Sequence, residues 1–460
     1  MAELDAVLAR IDADMDKALE RLFAVLRIKS ISTDPAYKGD VQANADWHVA
    51  DLESIGFTAK AHATPGHPIV LGHHRDGSGP SALFYGHYDV QPVDPLELWT
   101  QDPFEPVIEA GEGGAKVIRG RGSADDKGQL MTFVEACRAW KAEAGRLPIP
   151  LSILLEGEEE TGGVNLPPFL KAHADELKAD IGLICDTNMW DAKTPAIQTM
   201  LRGMVSEEVI IHAADRDLHS GFYGSAAANP NRILARILAD LHDDAGRVTL
   251  RGFYDGVPEL PDSLRKSWES LNFDAKAFLG EIGLSVPAGE RDRTVLEMVW
   301  SRPTAEINGM GGGYQGDGFK TVIPATASAK VSFRLVFEQD PHKVREAFRE
   351  FVRKRVPADC RVEFIGYGAG SAIRFPNEAP SFAKAQKALS DEWGREAKFI
   401  GGGGSIPVTS DIKNILGMDV ILAGFGLNDD RIHSPNEKYD LNCFHKGIRS
   451  WARILDELSR

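Results

Sequence analysis

Hydrophobic residues along the chain follow two kinds of spacing. Between residues 3 and 28 they recur at helical intervals, which predicts one amphipathic helix. Three short apolar runs beyond it predict buried strands at 81–85, 149–155 and 181–185. Residues 128–143, between the first two runs, again have helical spacing. Because strands alternate with helices, we predict an α/β fold with a mainly parallel sheet flanked by helices.

A second region, from about residue 204 to 378, has a different pattern. Within it the spacing predicts two longer, alternating strands at 207–212 and 327–337. It also predicts two helices, at 231–241 and 261–271. The helix-then-strand order resumes at about residue 381. We therefore predict a larger discontinuous domain made of residues 1–203 and 379–460, with a smaller α+β domain inserted at 204–378.

Composition limits the classes of function. A chain of 460 residues is too long for one ordinary core, so two domains are expected. The net charge of −16, from 52 basic and 68 acidic residues, argues against a nucleic-acid or anionic-membrane partner. There is no apolar run of membrane-spanning length, residues 1–27 lack a signal-peptide pattern, and the four cysteines form no C-x-x-C pair. These features predict a cytoplasmic protein.

Candidate chemistry is concentrated in polar clusters that each follow a predicted strand or a glycine turn. The clusters are GHYD (86–89), GSADDKG (122–128), EGEEETG (156–162), CD (185–186) and RIHS (431–434). Each alone is typical of a surface turn, a helix cap or a solvated acidic face. Together they supply imidazoles and carboxylates, which are ligands for zinc-type cations, at the sheet edge where α/β proteins bind ligands. The pattern favours a two-cation site with a bridging carboxylate and one unligated carboxylate as base.

Eight motifs resemble one known family in the same order along nearly the whole chain. They are GHYDVQP (86–92), GRGSADDKG (120–128), EGEEETGG (156–163), DLHSGFYGS (217–225), KTVIP (320–324), FRLV (333–336), GGSIPV (403–408) and HSPNEK (433–438). The family is that of the di-zinc aminoacylases, carboxypeptidase G and succinyl-diaminopimelate desuccinylase. Within it, the chain is most similar to the carnosinase-type cytosolic dipeptidases.

The resemblance implies a ligand for every metal position. His87 and Asp186 would hold one ion, Glu160 and His433 the other, and Asp125 would bridge both. It implies two Zn²⁺ ions, with Mn²⁺ or Co²⁺ as alternatives that the same donors accept.

The resemblance also implies the residues that assist the metals. Glu159 matches the general base, which takes a proton from water and delivers it to the leaving amine. Asp89 matches the residue that orients the His87 imidazole. Glu158 is an extra acid in the motif, and the spacing to Gly162 sets the register. A cis peptide is expected between Asp125 and Asp126.

For the inserted domain, the resemblance implies a ferredoxin-like lid and dimerisation domain, and thus a homodimer. His219 matches a histidine that stabilises the oxyanion, often in the partner subunit's site; a loop histidine with structural contacts is the alternative. Arg334 matches the arginine that binds the substrate carboxylate, and a salt-bridged strand arginine is the alternative. Thr321, Ser405 and Asn308 are further candidate substrate contacts.

The implied reaction is metal-dependent hydrolysis of dipeptides that have a free C-terminal carboxylate. The alternative is an N-acyl or N-carbamoyl amino acid amidohydrolase, because the same metal machinery serves both. A non-catalytic binding protein on this fold is a more remote alternative. Carnosinase-like dipeptidases carry a histidine where the insertion returns to the core, whereas this chain has Arg374 and no histidine in 371–380. The substrate preference of carnosinase therefore does not transfer.

Overall fold

The structure, a computed structural model, describes residues 2–404 and 406–460. It divides into two compact units. The first comprises Met1–Thr199, Phe375–Ile400 and Asp411–Arg460, and the second Met200–Arg374 and Gly401–Ser410. The predicted insertion at 204–378 differs from the second unit by a few residues at each end, and 401–410 groups with the second unit. The lid and dimerisation roles stay a prediction.

Helices and strands alternate along much of the chain. The helices are α1 (Ala2–Ala13), α2 (Met15–Leu26), α3 (Lys38–Ser54), α4 (Lys127–Ala144), α5 (Leu166–Ala172), α6 (Ala174–Leu177), α7 (Ser220–Tyr223), α8 (Pro230–Ala239), α9 (Asp262–Glu269), α10 (Ala275–Gly280), α11 (Val295–Trp300), α12 (Pro341–Arg353), α13 (Pro380–Trp393), α14 (Pro407–Asp411) and α15 (Leu441–Leu458). The strands are β1 (Thr58–His62), β2 (Ile69–His74), β3 (Ala82–His87), β4 (Val107–Ala110), β5 (Lys116–Arg119), β6 (Leu151–Glu156), β7 (Ile181–Ile184), β8 (Ala196–Leu201), β9 (Gly203–His212), β10 (Leu218–His219), β11 (Thr304–Gly312), β12 (Val322–Ile323), β13 (Thr326–Leu335), β14 (Arg361–Gly370), β15 (Ile373–Arg374), β16 (Lys398–Gly402), β17 (Val420–Leu422) and β18 (Lys438–Asp440).

The first unit is built on a large sheet with the order β1-β2-β6-β3-β7-β17-β8. Its central strands β6, β3, β7 and β17 are parallel, and the pairs at both margins are antiparallel. Strands β3, β6 and β7 are buried along their whole length, as expected for strands covered on both faces. Helices α4 and α15 pack on the sheet, where Phe133 stacks on Phe84 with ring centroids 3.7 Å apart. The predicted α/β fold is confirmed.

The single helix predicted at 3–28 is wrong. Two helices, α1 and α2, meet at Asp14, whose φ of −100° and ψ of 12° depart from helical values. Aspartate has a low helix propensity, and Lys17 Nζ donates a 2.6 Å hydrogen bond to the Asp14 carboxylate. The hydrophobic spacing runs across the break because both helices bury the same kind of apolar face.

The second unit contains a four-stranded antiparallel sheet with the order β11-β13-β9-β14. In chain order the strands of this sheet and the helices that cover it are β9-α8-β11-β13-α12-β14, the βαββαβ topology of a ferredoxin-like fold, as predicted. Alternate residues of β9 and β13 are buried, and this face packs with α8 and α12 in one apolar core. Among the described residues, none of the helices has the length and apolar character needed to cross a membrane.

Candidate metal centre

Five polar side chains lie where elements of the first unit end or begin. His87 ends β3, Glu160 follows β6 in a single 3₁₀ turn (Glu159–Thr161), and Asp186 follows β7. Asp125 lies in the turn before α4, and His433 in the loop before β18. The carboxyl ends of neighbouring parallel strands lie at one edge of a sheet, so β3, β6 and β7 bring their ligands together.

These five residues form two groups that share Asp125. The groups are His87-Asp125-Asp186 and Asp125-Glu160-His433, and the ligand atoms in each lie within 4.8 Å of one another. His87 Nε2 lies 3.1 Å from Asp125 Oδ1 and 3.9 Å from Asp186 Oδ2. His433 Nε2 lies 2.9 Å from Asp125 Oδ2 and 3.3 Å from Glu160 Oε2. Asp125 therefore presents one oxygen to each histidine, the arrangement of a bridging carboxylate.

The charges of the site fit divalent cations. Burial, together with the carboxylates of Asp126 and Asp125, raises the pKa of Asp186 well above its usual range. Hydrogen bonds to Asp125 and Glu160 raise the pKa of His433 to about 10. Negative charge is thus in excess at a buried position, where an unpaired carboxylate is costly. Nitrogen and oxygen donors without sulfur suit zinc or a similar ion.

Asp89 lies on the far side of the His87 ring from the ligand groups. Its Oδ1 is 3.4 Å from His87 Nδ1, while His87 Nε2 faces Asp125. The fully buried Asp89 carboxylate also accepts hydrogen bonds from Ser32 Oγ (2.6 Å) and from the backbone N–H groups of Glu159 (3.2 Å) and Glu160 (3.1 Å). The Asp89 carboxylate therefore fixes both the His87 imidazole and the turn that carries Glu159 and Glu160.

Glu159 belongs to neither ligand group but lies next to both. Burial raises the pKa of its carboxyl to about 6, and the neighbouring carboxylates of Glu160, Asp89 and Asp125 act in the same direction. A carboxylate with a pKa near 6 is suited to accept and return a proton near neutral pH.

The expected cis peptide between Asp125 and Asp126 is present. Asp126 is fully buried, and its Oδ2 accepts a 3.1 Å hydrogen bond from the backbone N–H of His87. Its Oδ1 lies 3.5 Å from Cys185 Sγ, next to Asp186. The Asp126 side chain thus contacts the segments that carry His87 and Asp186.

Two candidates of the second unit, His219 and Thr321, lie together. The short strands β10 and β12 pair, and the backbone N–H of Ser220 donates to Thr321 O at 3.1 Å. The His219 side chain is exposed, and its Nδ1 accepts a 3.0 Å hydrogen bond from Gly221 N. Among the residues that the structure describes, its Nε2 has no hydrogen-bond partner.

The remaining candidates lie on the main sheet of the second unit. Arg334 is half-buried on β13, and within the described part of the chain its guanidinium makes no hydrogen bond or ion pair. Asn308 is exposed at an irregularity of the β11–β13 ladder. Ser405 lies outside the described residues. Arg202, absent from the sequence predictions, lies near Arg334; burial and that neighbouring positive charge lower its pKa to about 10.

The stretch of chain that carries these motifs matches a known protein family. The model of the peptidase family M20/M25/M40 matches residues 83–457, which include all five candidate ligands. The chain belongs to this family. The predicted family resemblance is thereby confirmed, and so is the prediction that the protein is a metal-dependent peptidase. Zinc itself stays a prediction.

Relatives within the M20/M25/M40 family match over most of the chain. The Cys-Gly metallodipeptidase DUG1 of Saccharomyces cerevisiae is 30% identical over 99% of this chain and 98% of its own length. The human Beta-Ala-His dipeptidase is 28% identical over 85% of this chain and 78% of its own. The structure of the M20 family metallo-carboxypeptidase Sso-CP2 from Sulfolobus solfataricus has a TM-score of 0.82 at 30% identity, and the match covers 96% of this chain and 99% of that one.

Two buried residues around this candidate centre have no role in the sequence predictions. Glu158, noted only as an extra acid, is 2% exposed and accepts hydrogen bonds from His67 N, Asn165 N and Asn165 Nδ2 at 2.8–2.9 Å. It therefore holds two loops beside Glu159. Lys127 is fully buried and donates to the carbonyls of Val25 and Ile28. A polar residue type inside a motif gives no sign of burial, so sequence alone does not identify such supports.

Proposed function

We propose that this protein is a di-zinc dipeptidase that hydrolyses the amide bond of dipeptides with a free C-terminal carboxylate. The observation that carries the proposal is Asp125, which presents one oxygen to each of two histidines. Two relatives that match most of the chain are dipeptidases by name, one for Cys-Gly and one for Beta-Ala-His. Dipeptides are therefore the substrate class that we favour.

In this proposal His87, Asp125 and Asp186 hold one zinc ion, and Asp125, Glu160 and His433 hold the other. When bound, such ions polarise the scissile carbonyl and make water acidic enough to react near neutral pH. Mn²⁺ and Co²⁺ accept the same nitrogen and oxygen donors.

Glu159 acts as the general base and then as the general acid. Its carboxylate takes a proton from the attacking water and delivers it to the amine of the leaving amino acid. Asp89 holds the His87 ring through Nδ1, so that Nε2 faces the metal position. The backbone N–H groups of Glu159 and Glu160 donate to the same Asp89 carboxylate, which keeps the base in place relative to the ligands.

Residues of the second unit recognise the substrate. Arg334 binds the C-terminal carboxylate, since its planar guanidinium has no partner among the described residues and matches a carboxylate in two hydrogen bonds. His219 donates from Nε2 to the oxyanion, because its Nδ1 is already an acceptor for Gly221 N. Thr321, Asn308 and Ser405 make the weaker polar contacts.

The experiment is turnover of a panel of dipeptides, N-acetyl amino acids and N-carbamoyl amino acids by metal-stripped protein, before and after zinc, manganese or cobalt is added. We expect metal-restored cleavage of dipeptides and loss of cleavage when the C-terminal carboxylate is amidated. Preference for the acylated or carbamoylated compounds would instead make the protein a deacylase. Absence of turnover with every metal would contradict the catalytic proposal and favour a binding protein.

We also propose a homodimer in which His219 acts in the partner's site. Neither His219→Ala nor Glu159→Gln protein should turn over dipeptides at an appreciable rate alone. If His219 acts across subunits, a mixture of the two reassembles with one complete site in each mixed dimer, and about a quarter of the wild-type rate returns. A sedimentation measurement gives the oligomeric state independently. A monomer, or a mixture that stays inactive although subunits exchange, would contradict this arrangement.

The cytoplasm is the compartment that we propose for the protein. All four cysteines are free, and Cys137, Cys185 and Cys443 are buried as thiols. Free buried thiols are typical of proteins in a reducing compartment. Cell fractionation of the native protein tests this, and recovery from an oxidising compartment would contradict it.

A further inference from the structure

The loop that carries His433 has an unfavourable backbone. Arg431, His433 and Asn436 have φ values of 58°, 59° and 64°, in the left-handed region that residues other than glycine rarely adopt. The His433 side chain is 53% exposed, so packing around the imidazole does little to fix it. The position of this candidate ligand must therefore be set by contacts elsewhere in the loop.

One such contact holds the outer part of the loop. Asn436 Oδ1 accepts hydrogen bonds from Thr100 N (2.8 Å) and Thr100 Oγ1 (2.9 Å), and Asn436 Nδ2 donates to Leu98 O (2.8 Å). These bonds tie the loop to residues 98–100, which carry no candidate ligand. They explain how the loop is held in place, but they do not relate His433 to the other ligands.

Glu437 connects the loop of His433 to another candidate ligand. Its carboxylate is fully buried and accepts four hydrogen bonds, all from the segment that leads to the bridging residue. The donors are Arg121 Nη1 (2.8 Å), Gly122 N (3.0 Å), Ala124 N (2.9 Å) and Asp125 N (3.1 Å). One side chain thus connects the loop of His433 to the backbone of Asp125, and these two residues belong to the same ligand group.

The buried charge of this carboxylate is balanced within the protein. Arg121 is 1% exposed, and besides its bond to Glu437 it donates to Pro92 O at 3.0 Å. An ionised carboxylate can accept from all four donors, since it has no hydrogen of its own. A glutamine in its place would turn an N–H group toward at least one of these donors. The site therefore requires a carboxylate, and a polar side chain of the same shape is insufficient.

We propose that Glu437 is a positioning residue that fixes Asp125 and His433 relative to each other and thereby sets the affinity of the Asp125-Glu160-His433 group for its metal ion. This inference rests on the proposed two-metal function. The His87-Asp125-Asp186 group shares Asp125 but takes no ligand from the Glu437 loop, so its affinity should change less than that of the group with two members held through Glu437.

The test is the affinity of metal-stripped Glu437→Gln protein for zinc, measured by competition with a chromophoric chelator. We expect one of the two zinc ions to bind about 10- to 100-fold more weakly, and the other to change by less than about threefold. Turnover should fall and should return when zinc is raised, which a simple loss of folded protein would not produce. In a His433→Ala background, Glu437→Gln should add little to the loss.

A matched control is Glu290→Gln in the second unit. Glu290 is 4% exposed and pairs with the buried Arg302, whose Nη2 is 2.9 Å away, so it has the burial and the arginine partner of Glu437 without a ligand nearby. The Glu290→Gln protein should bind both zinc ions with the affinities of the wild type. An equal loss of zinc in both variants would overturn the proposal, because it would show a general effect of removing a buried charge.

Removal of one partner of a buried ion pair can prevent folding, whereas removal of both charges is better tolerated. If Glu437→Gln does not fold, the double variant Arg121→Met/Glu437→Gln is measured, with the same selective loss expected. Two zinc ions bound with wild-type affinity by either folded variant would overturn the inference about Glu437. Failure of the wild-type protein to bind two ions would overturn the proposed function itself.

Discussion

The candidate residues of the two units differ in how far the protein itself holds them. In the first unit, Asp89 accepts three hydrogen bonds from side chain and backbone, and Glu437 accepts four. In the second unit, His219, Thr321 and Asn308 are exposed, and Arg334 has no polar partner among the described residues. The candidate metal ligands are thus held by the protein's own hydrogen bonds, whereas the proposed substrate-recognition residues keep unpaired donors among the described residues.

The difference has a physical cause. Several carboxylates close together repel one another and lose hydration, so they can be buried only if neighbouring donors hold each of them. A guanidinium at a half-exposed position stays hydrated until a carboxylate replaces the water. Substitutions of the candidate ligands and their supports in the first unit should therefore affect catalysis or stability through the fixed geometry. Substitutions of the candidate recognition residues in the second unit should affect substrate binding and leave stability nearly unchanged.

The largest effect should come from Glu159→Gln. The change removes the proton acceptor but preserves the shape of the side chain, and general acid–base catalysis contributes about 10²- to 10⁴-fold to rates. We expect kcat to fall by about that factor while both metal ions stay bound. Steady-state kinetics and metal analysis of the same sample measure the two quantities. Glu53→Gln, the same change at an exposed helix position, is the control.

Two outcomes would count against this assignment. A kcat within about threefold of the wild type would show that another group moves the proton. Loss of a metal ion from the Glu159→Gln protein would show that Glu159 is a ligand, contrary to its place outside both ligand groups.

Arg334→Ala should have the next largest effect, and of a different kind. A hydrogen bond to a charged group contributes about 1.5–3 kcal/mol, so KM for a dipeptide should rise by about 10- to 100-fold. The melting temperature should stay close to that of the wild type, because Arg334 has no protein partner to lose among the described residues. Lys330→Ala is the control, since it removes a positive charge from an exposed position four residues away on the same strand.

An unchanged KM would remove Arg334 from the substrate site. A large fall in melting temperature would favour the alternative of a structural arginine. Either result would break the distinction between an organised metal centre and a recognition surface with free donors.

The motifs predict the ligands better than their supports, and this follows from what each requires. A candidate ligand is a histidine or carboxylate after a strand or a glycine turn, and residue types at such positions are visible in the sequence. His87, Asp125 and Asp186 are candidates of this kind, and the family resemblance implies their roles. A support such as Glu437 is defined by burial and by donors that come from a segment 312–316 residues away. In the sequence it is one more polar residue of the HSPNEK motif, with no role assigned to it.

Secondary structure shows the same limit. The buried strands were predicted because apolar runs of that length have few other uses, and the structure places β3, β6 and β7 within a few residues of them. The break at Asp14 was missed because the hydrophobic spacing continues through it and a single poor helix former is weak evidence against a helix. Local spacing predicts which face is buried, but it does not predict where a helix bends.

A smaller effect is expected from Ser32→Ala, on stability. Ser32 is buried, and its Oγ donates a 2.6 Å hydrogen bond to Asp89, which keeps two backbone donors in the variant. Loss of this bond should lower the free energy of unfolding by about 1–2 kcal/mol, as measured by urea denaturation. Ser459→Ala, which removes only a local bond to Asp456 O, should change it far less. Equal stabilities would show that the Asp89 network does not depend on the Ser32 hydroxyl.

The smallest effect should come from Asn308→Ala. It tests the proposed substrate contact for which we expect the smallest contribution to binding. Asn308 is exposed beside an irregularity of the β11–β13 ladder, so its loss should leave the free energy of unfolding within about 0.5 kcal/mol of the wild type. A neutral hydrogen bond to the substrate contributes about 0.5–1.5 kcal/mol, which predicts a two- to tenfold rise in KM and an unchanged kcat. An unchanged KM would limit substrate recognition in the second unit to its charged and imidazole side chains. A fall in stability would instead show that Asn308 supports the strand, as Ser32 supports Asp89 in the first unit.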